Sequence, residues 1–187
     1  MKMENNKELF QKCEDHFGPS RFTECRPAEW ILIADLGKFQ EDFSFLKNRC
    51  QFNLLLDICG VDNLNKKDGS PSGKRFEINY HILNLEEHVR IRVKVYLDDG
   101  GSLPSITSLW KGAEWFEREV WDMYGVLFNG KPKERILTHH EFIGHPLRKD
   151  FDPKKRIPLS APLPLSPQDT RKLRGLPEDG HWLNIDP

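Results

Sequence analysis

The chain has 187 residues, 28 Lys+Arg against 29 Asp+Glu, and a net charge of −1. That length suits one domain with a short appendage and excludes two ordinary domains, and the charge balance argues against a nucleic-acid binder, whose phosphate contacts demand a basic excess. Hydrophobic residues make up 37%, including 12 Phe and 5 Trp, enough for a packed core. No run approaches the roughly 20 apolar residues that cross a bilayer, and Met1–Phe10 lacks the apolar core of a signal peptide, so a soluble intracellular chain is expected.

In chain order, Leu9, Phe10, Cys13 and Phe17 predict a helix from about Asn6 to Phe17, stopped by Gly18-Pro19. Trp30 to Ile33 reads as a short strand. Phe39, Phe43 and Leu46 line one face of a helix over Lys38 to Arg49. The apolar run Asn53 to Ile58 predicts a central strand buried on both faces. Asn63 to Gly73 is rich in turn formers and reads as a flexible loop. Phe76 to Ile82 and Val89 to Val95 alternate strictly, which predicts an antiparallel hairpin with one face on the core and the other in solvent. A last helix is expected over Ala113 to Tyr124, with Gly125 as a left-handed stop. Ala113, Phe116, Val120 and Met123 share its apolar face, flanked by Glu119. Glu114, Arg118 and Asp122 stack on another face, where intrahelical ion pairs are expected. Trp121 projects away from the apolar stripe, which argues for a partner surface.

These elements predict an α+β fold: a two-layer domain over residues 1–152, with a mixed or antiparallel sheet and helices on one face. Residues 153–187 hold 7 of the 13 prolines, which excludes a helix or a central strand there. An extended C-terminal arm follows. It is either disordered or, given Leu159, Leu163, Leu165, Trp182 and Ile185, ordered on a neighbouring subunit.

No pair among Cys13, Cys25, Cys50 and Cys59 makes a C-x2-C or C-x4-C step, so free, mostly buried thiols are expected. His139, His140 and His145 cluster. Adjacent histidines diverge in any regular element, however, and no metal is assigned to them. Gly144 and Pro146 put His145 in a turn. Asp57 and Asp62 flank the apolar strand and read as end caps or turn formers ahead of a catalytic carboxylate pair, the other reading. No phosphate loop, nucleophile elbow or H-E-x-x-H motif is present, so no catalytic residues are predicted.

One set of segments is far more specific. It comprises Glu117-Arg118-Glu119-Val120-Trp121-Asp122-Met123-Tyr124-Gly125-Val126-Leu127-Phe128, then Arg135-Ile136-Leu137, then Gly144-His145-Pro146-Leu147-Arg148-Lys149-Asp150-Phe151. Upstream, Leu54 to Asp62 and Pro104 to Trp110 extend it. Together these resemble the 30 kDa subunit family (the C subunit) of proton-translocating NADH:quinone oxidoreductase, respiratory complex I, over about residues 30–156. The chain departs from the family pattern at Lys131, where the family carries G-H-P, and at Thr138 to Phe142, where a Pro-x-Asp/Glu-Trp-like stretch is usual.

The resemblance implies a subunit without flavin, iron–sulfur cluster or quinone of its own, the FMN and Fe–S clusters residing in partner subunits. It implies partners in the quinone-site subunit and the Fe–S subunits of the peripheral arm. The location implied is the cytoplasmic side of the bacterial inner membrane, reached only through the complex; Met1-Lys2-Met3-Glu4 lacks the character of a mitochondrial presequence. An equivalent subunit of a membrane-bound hydrogenase or another quinone or ferredoxin oxidoreductase is the alternative. Candidate subunit-interface residues are Arg118, Glu119, Trp121, Asp122, His145, Arg148, Lys149 and Asp150, with an intradomain network as the other reading of the charged block. Residues 131–156 carry eight Lys/Arg against four Asp/Glu, which suits an acidic partner.

Overall fold

A computed structural model describes residues 2–64 and 73–154, the first four as backbone only. The expected arm, from residue 155 onward, and most of the loop expected at Asn63–Gly73 lie outside the described residues. Helix α1 spans Lys2–Phe17, starting before the point where its apolar spacing begins. Strand β1 (Phe22–Arg26) is not anticipated by the sequence pattern, because only Phe22 is buried and a bulge between Glu24 and Arg26 breaks the alternation. Strand β2 (Glu29–Ile33) follows, then a 3-10 turn at Leu36–Lys38 and helix α2 (Phe39–Asn48). Strands β3 (Leu54–Asp62), β4 (Phe76–Asn84) and β5 (Val89–Leu97) lead to a short β6 (Ser102–Leu103), helix α3 (Ala113–Tyr124) and β7 (Leu127–Phe128).

Among the described residues, five strands form one sheet in the order β1-β2-β5-β4-β3, and β6 pairs with β7 alone. The sheet is mixed: β2 runs parallel to β5, and the other neighbours are antiparallel. The predicted hairpin is β4–β5. The expectation of a central β3 is corrected, since it is an edge strand whose Leu54 is exposed. A sheet covered on one face needs polar alternates on its middle strands, and β4 and β5 supply them.

The helices all pack on one face. Register places Leu32, Val93, Tyr80 and Ile58 in one row across the sheet. Tyr80 lies fully buried under Phe39 and Phe43 of α2, with ring centroids 5.9 and 4.9 Å away. Trp30 meets Phe10 of α1 at 5.4 Å, and Phe76 meets Tyr124 of α3 at 6.5 Å. Losing a ring such as Phe43 from this layer costs about 3–5 kcal/mol. On the open face the alternation holds only in part. Glu77 and Asn79 are buried there, and Lys94 of β5 bonds Glu77 at 2.9 Å. Among the described residues no helix is long and apolar enough to cross a membrane.

Candidate functional site

The motif segments meet around α3. Gly125 ends that helix at φ +77°, and a Cβ there would sit 2.6 Å from the His145 ring and 2.8 Å from an Arg148 nitrogen. Glycine is therefore required both by the left-handed backbone and by the close approach of a later segment. The last four carbonyls of a helix lack helical partners, and here each has one. Gly125 N–H donates to Trp121 at 2.8 Å, His145 Nδ1 meets the Asp122 carbonyl at 3.0 Å, and Leu147 N–H donates to Met123 at 3.1 Å. Arg148 Nε donates to the Tyr124 carbonyl at 2.6 Å, placing a cation at the negative end of the helix dipole. A ring nitrogen facing a carbonyl must carry the proton, which fixes the His145 tautomer. Burial, with Arg148 and Arg135 nearby, lowers the His145 pKa and favours that neutral form.

Asp122 is fully buried and gathers the segment after β7. Its Oδ2 accepts the amides of Ile136, Leu137 and Thr138 at 3.1, 2.9 and 2.9 Å. Its Oδ1 accepts Arg135 at 2.7 Å and the Thr138 hydroxyl. Burial works against ionisation, but the Thr138 hydroxyl and amide, the Leu137 amide and Arg135 outweigh it and hold the carboxyl well below the usual range. Arg135 also donates to the Gly144 carbonyl at 3.0 Å. Glu117 is buried on the other side and accepts Ile106 N–H at 2.8 Å and the Ser105 hydroxyl at 2.7 Å, fixing the Pro104–Trp110 segment. Burial raises its pKa despite those donors and Lys131.

A second network closes the end of the segment onto the sheet. Arg75 bonds Asp62 at 3.1 Å, Asp99 at 2.6 Å and Asp150 at 2.7 Å, and Arg148 reaches Asp99 at 3.2 Å. Lys149 N–H donates to Asp62 Oδ2 at 2.9 Å. Both guanidinium groups lie over the Phe76 ring, at 5.0 and 5.1 Å. Burial raises the Asp62 pKa, yet Arg75 and the Lys149 and Leu64 amides bring it below its ordinary value; the Arg75 bond lowers that of Asp150.

The predicted site residues are thus brought together, but several face inward. Asp122 does not stack with Glu114 and Arg118 on an outer face; it has no exposed surface, because loop amides enclose it. Trp121 is half-buried against His145 (5.9 Å, edge-on) and Arg135 (5.4 Å). Arg148 and Asp150 pair within the chain, and Arg118 pairs with Glu134 at 3.2 Å. Glu119 and the Lys149 side chain face solvent. Among the described residues the exposed tryptophan is Trp115, 63% accessible; Leu137 (64%), Ile143 (77%) and Leu147 (51%) are exposed as well. The hubs Asp62, Arg75, Asp99 and Glu117 were not candidates from sequence. Glu117 and Asp62 lie within the motif segments, and Asp62 also carried a signal as a strand-end residue, accepting the Leu64 amide at 2.9 Å; Arg75 and Asp99 carried none.

Cys13 and Cys50 are buried with sulfurs 3.6 Å apart, Cys59 is half-buried and Cys25 is exposed, all as free thiols. Burial and Asp57 push the Cys59 thiol up to about 11. His139 and His140 do not diverge as expected, because they lie in a turn outside any regular element, with ring centroids 4.1 Å apart.

The sequence profile of the family described as "Respiratory-chain NADH dehydrogenase, 30 Kd subunit" matches residues 34–157. The chain belongs to this family. It is 50% identical over 126 residues to the C subunit of NADH-quinone oxidoreductase from Xanthobacter autotrophicus, covering 66% of this chain and 57% of that one. Among solved structures, the trypsin-resistant fragment (1-134) of Nqo5 superposes with a TM-score of 0.57 at 28% identity, over 71% of this chain and 98% of the fragment. A chain of the membrane-bound sulfane sulfur reductase, an archaeal respiratory membrane complex, gives 0.66 at 27% identity, over 80% and 87%. The chain spans about half the length of the curated relatives it matches, at 57%, 54% and 52% for three of them. For a 30 kDa subunit family member, the departure at Lys131 now has a setting. Its ammonium lies near buried Glu117 and favours the ionised carboxylate.

Proposed function

We propose that the chain is the C subunit of an NADH:quinone oxidoreductase, a structural and assembly component of the peripheral arm without a redox cofactor of its own. In this reading the complex passes electrons from NADH through FMN and Fe–S clusters in partner subunits to quinone, coupled to proton translocation. The chain packs against the quinone-site and Fe–S subunits on the cytoplasmic side of a bacterial inner membrane. Family membership, and relatives named as the C subunit of NADH-quinone oxidoreductase, support it.

The observation that carries it is the combination of Leu137, Ile143 and Leu147, all exposed, on a segment pinned by Asp122 at one end and by Arg75 and Arg148 at the other. Exposed apolar side chains on a rigidly held segment are the signature of a surface that another chain covers. The Lys/Arg excess of residues 131–156 selects an acidic partner. Affinity purification of the tagged chain from cells in mild detergent tests the reading by the identity of the co-purifying chains. Recovery of flavin- and Fe–S-bearing subunits supports it, and recovery of the chain alone overturns it. The likeness to a chain of the archaeal sulfane sulfur reductase supports a second reading, the equivalent subunit of a related membrane-bound complex; the same co-purifying chains distinguish the two.

A further inference from the structure

We propose that His139, His140 and Glu141 form a binding site for a divalent cation of the zinc class. Two imidazoles and a carboxylate are the donors that such borderline cations select. The turn brings them together. His139 Nδ1 lies 4.0 Å from one Glu141 carboxylate oxygen and His140 Nε2 lies 3.8 Å from the other, and one ligand atom from each residue falls within 4.8 Å of the others. Zinc at about 2.0–2.2 Å from each donor holds tetrahedral donors roughly 3.3–3.5 Å apart. Small side-chain rotations close that difference, and all three side chains are exposed enough to make them.

The backbone beneath the ligands is already fixed. Thr138 is gripped by Asp122 through its amide and hydroxyl, and Phe142 N–H donates to the His139 carbonyl at 2.9 Å. The Phe142 ring stacks on Phe151 at 5.8 Å with Arg135 over it at 5.4 Å. Binding therefore orders three side chains and not a loop, which removes most of the entropy that opposes capture of a cation by adjacent residues. The Arg135 charge beside the turn is matched by Asp122 at 2.7 Å, so it repels the cation less than its position implies. Three protein donors leave a coordination position open to water. The site needs no partner chain and stands independently of the proposed assembly.

Isothermal titration of zinc chloride into the full chain, purified without a polyhistidine tag and stripped with chelator, tests the site. One equivalent of saturable binding is expected. His139→Ala and His140→Ala should each weaken it by about tenfold or more, and Glu141→Gln by less, with melting temperatures unchanged because these side chains are exposed. Unaltered binding in the His139→Ala/His140→Ala double variant overturns the proposal. So does loss of the bound equivalent in Cys25→Ser, which would assign the zinc to the exposed thiol, and so does an absence of saturable binding by wild type up to millimolar zinc.

Discussion

Asp122 gathers five donors from residues 135–138 onto two oxygens. Replacing it by Asn keeps the size, but turns an amide NH2 toward groups that are themselves donors and leaves half-buried Arg135 without its counter-charge. Removing one partner of a buried pair costs about 3–5 kcal/mol, so Asp122→Asn should lower the melting temperature of the isolated chain by roughly 10 °C. Proteolysis of the variant should begin within residues 135–144. Gly60 is a second sensitive position for a steric reason: a Cβ there would meet the Tyr124 ring at 2.6 Å. Gly60→Ala should cost about 1–3 kcal/mol by overpacking. Adding Tyr124→Leu should recover part of that loss in a double-mutant cycle read by thermal unfolding.

At the scale of elements, α3 owes its end to residues far along the chain. Arg148→Ala removes a bond to the Tyr124 carbonyl and a link to Asp99, so it should lower the melting temperature of the isolated chain. Glu119→Ala, on the exposed side, should leave stability within about 0.5 kcal/mol of wild type and show its effect only in recovery of the assembled complex. Differential scanning fluorimetry beside co-purification separates the two. The sequence made the β4–β5 hairpin legible because alternation is a local signal, and Gly125 legible as a stop because only glycine sits easily at positive φ. It could not reveal the inward turn of Asp122. A helical wheel weighs a residue against its own helix, whereas the amides that hold this carboxylate arrive 14 to 16 residues later. The edge position of β3 was hidden for a related reason, since an apolar run records burial without recording how many strands flank it. The parallel pairing of β2 with β5 leaves no local trace at all.

For the molecule as a whole, the buried networks set its response to acid. His145 has a lowered pKa in the fold, so its contribution is present above the ordinary histidine value of about 6.5 and fades as pH falls below it. Asp62, Asp122 and Asp150 are also lowered, so theirs persists to about pH 4 and disappears below. Glu117 is raised and acts oppositely, favouring the fold less once pH exceeds the ordinary glutamate value. Melting temperature should therefore fall steeply below about pH 4, while between about 6.5 and 5 His145 and Glu117 oppose each other, and His145→Asn should remove the destabilising part of that limb. Assembly is a separate property of the same surface. Leu137→Asp with Ile143→Asp should leave this profile unchanged and reduce co-purifying chains by about tenfold or more.

The terminal carbonyls of α3 are met by groups between Gly125 and Arg148, which has a consequence for synthesis. Once α3 has emerged from the ribosome but the stretch through Arg148 has not, three of those carbonyls have only water to bond, and the helix end frays. Its last turn locks when the stretch through Arg148 has left the exit tunnel. A released chain that stops at residue 140 should therefore be cut by protease at the end of α3, and one that runs through residue 154 should resist.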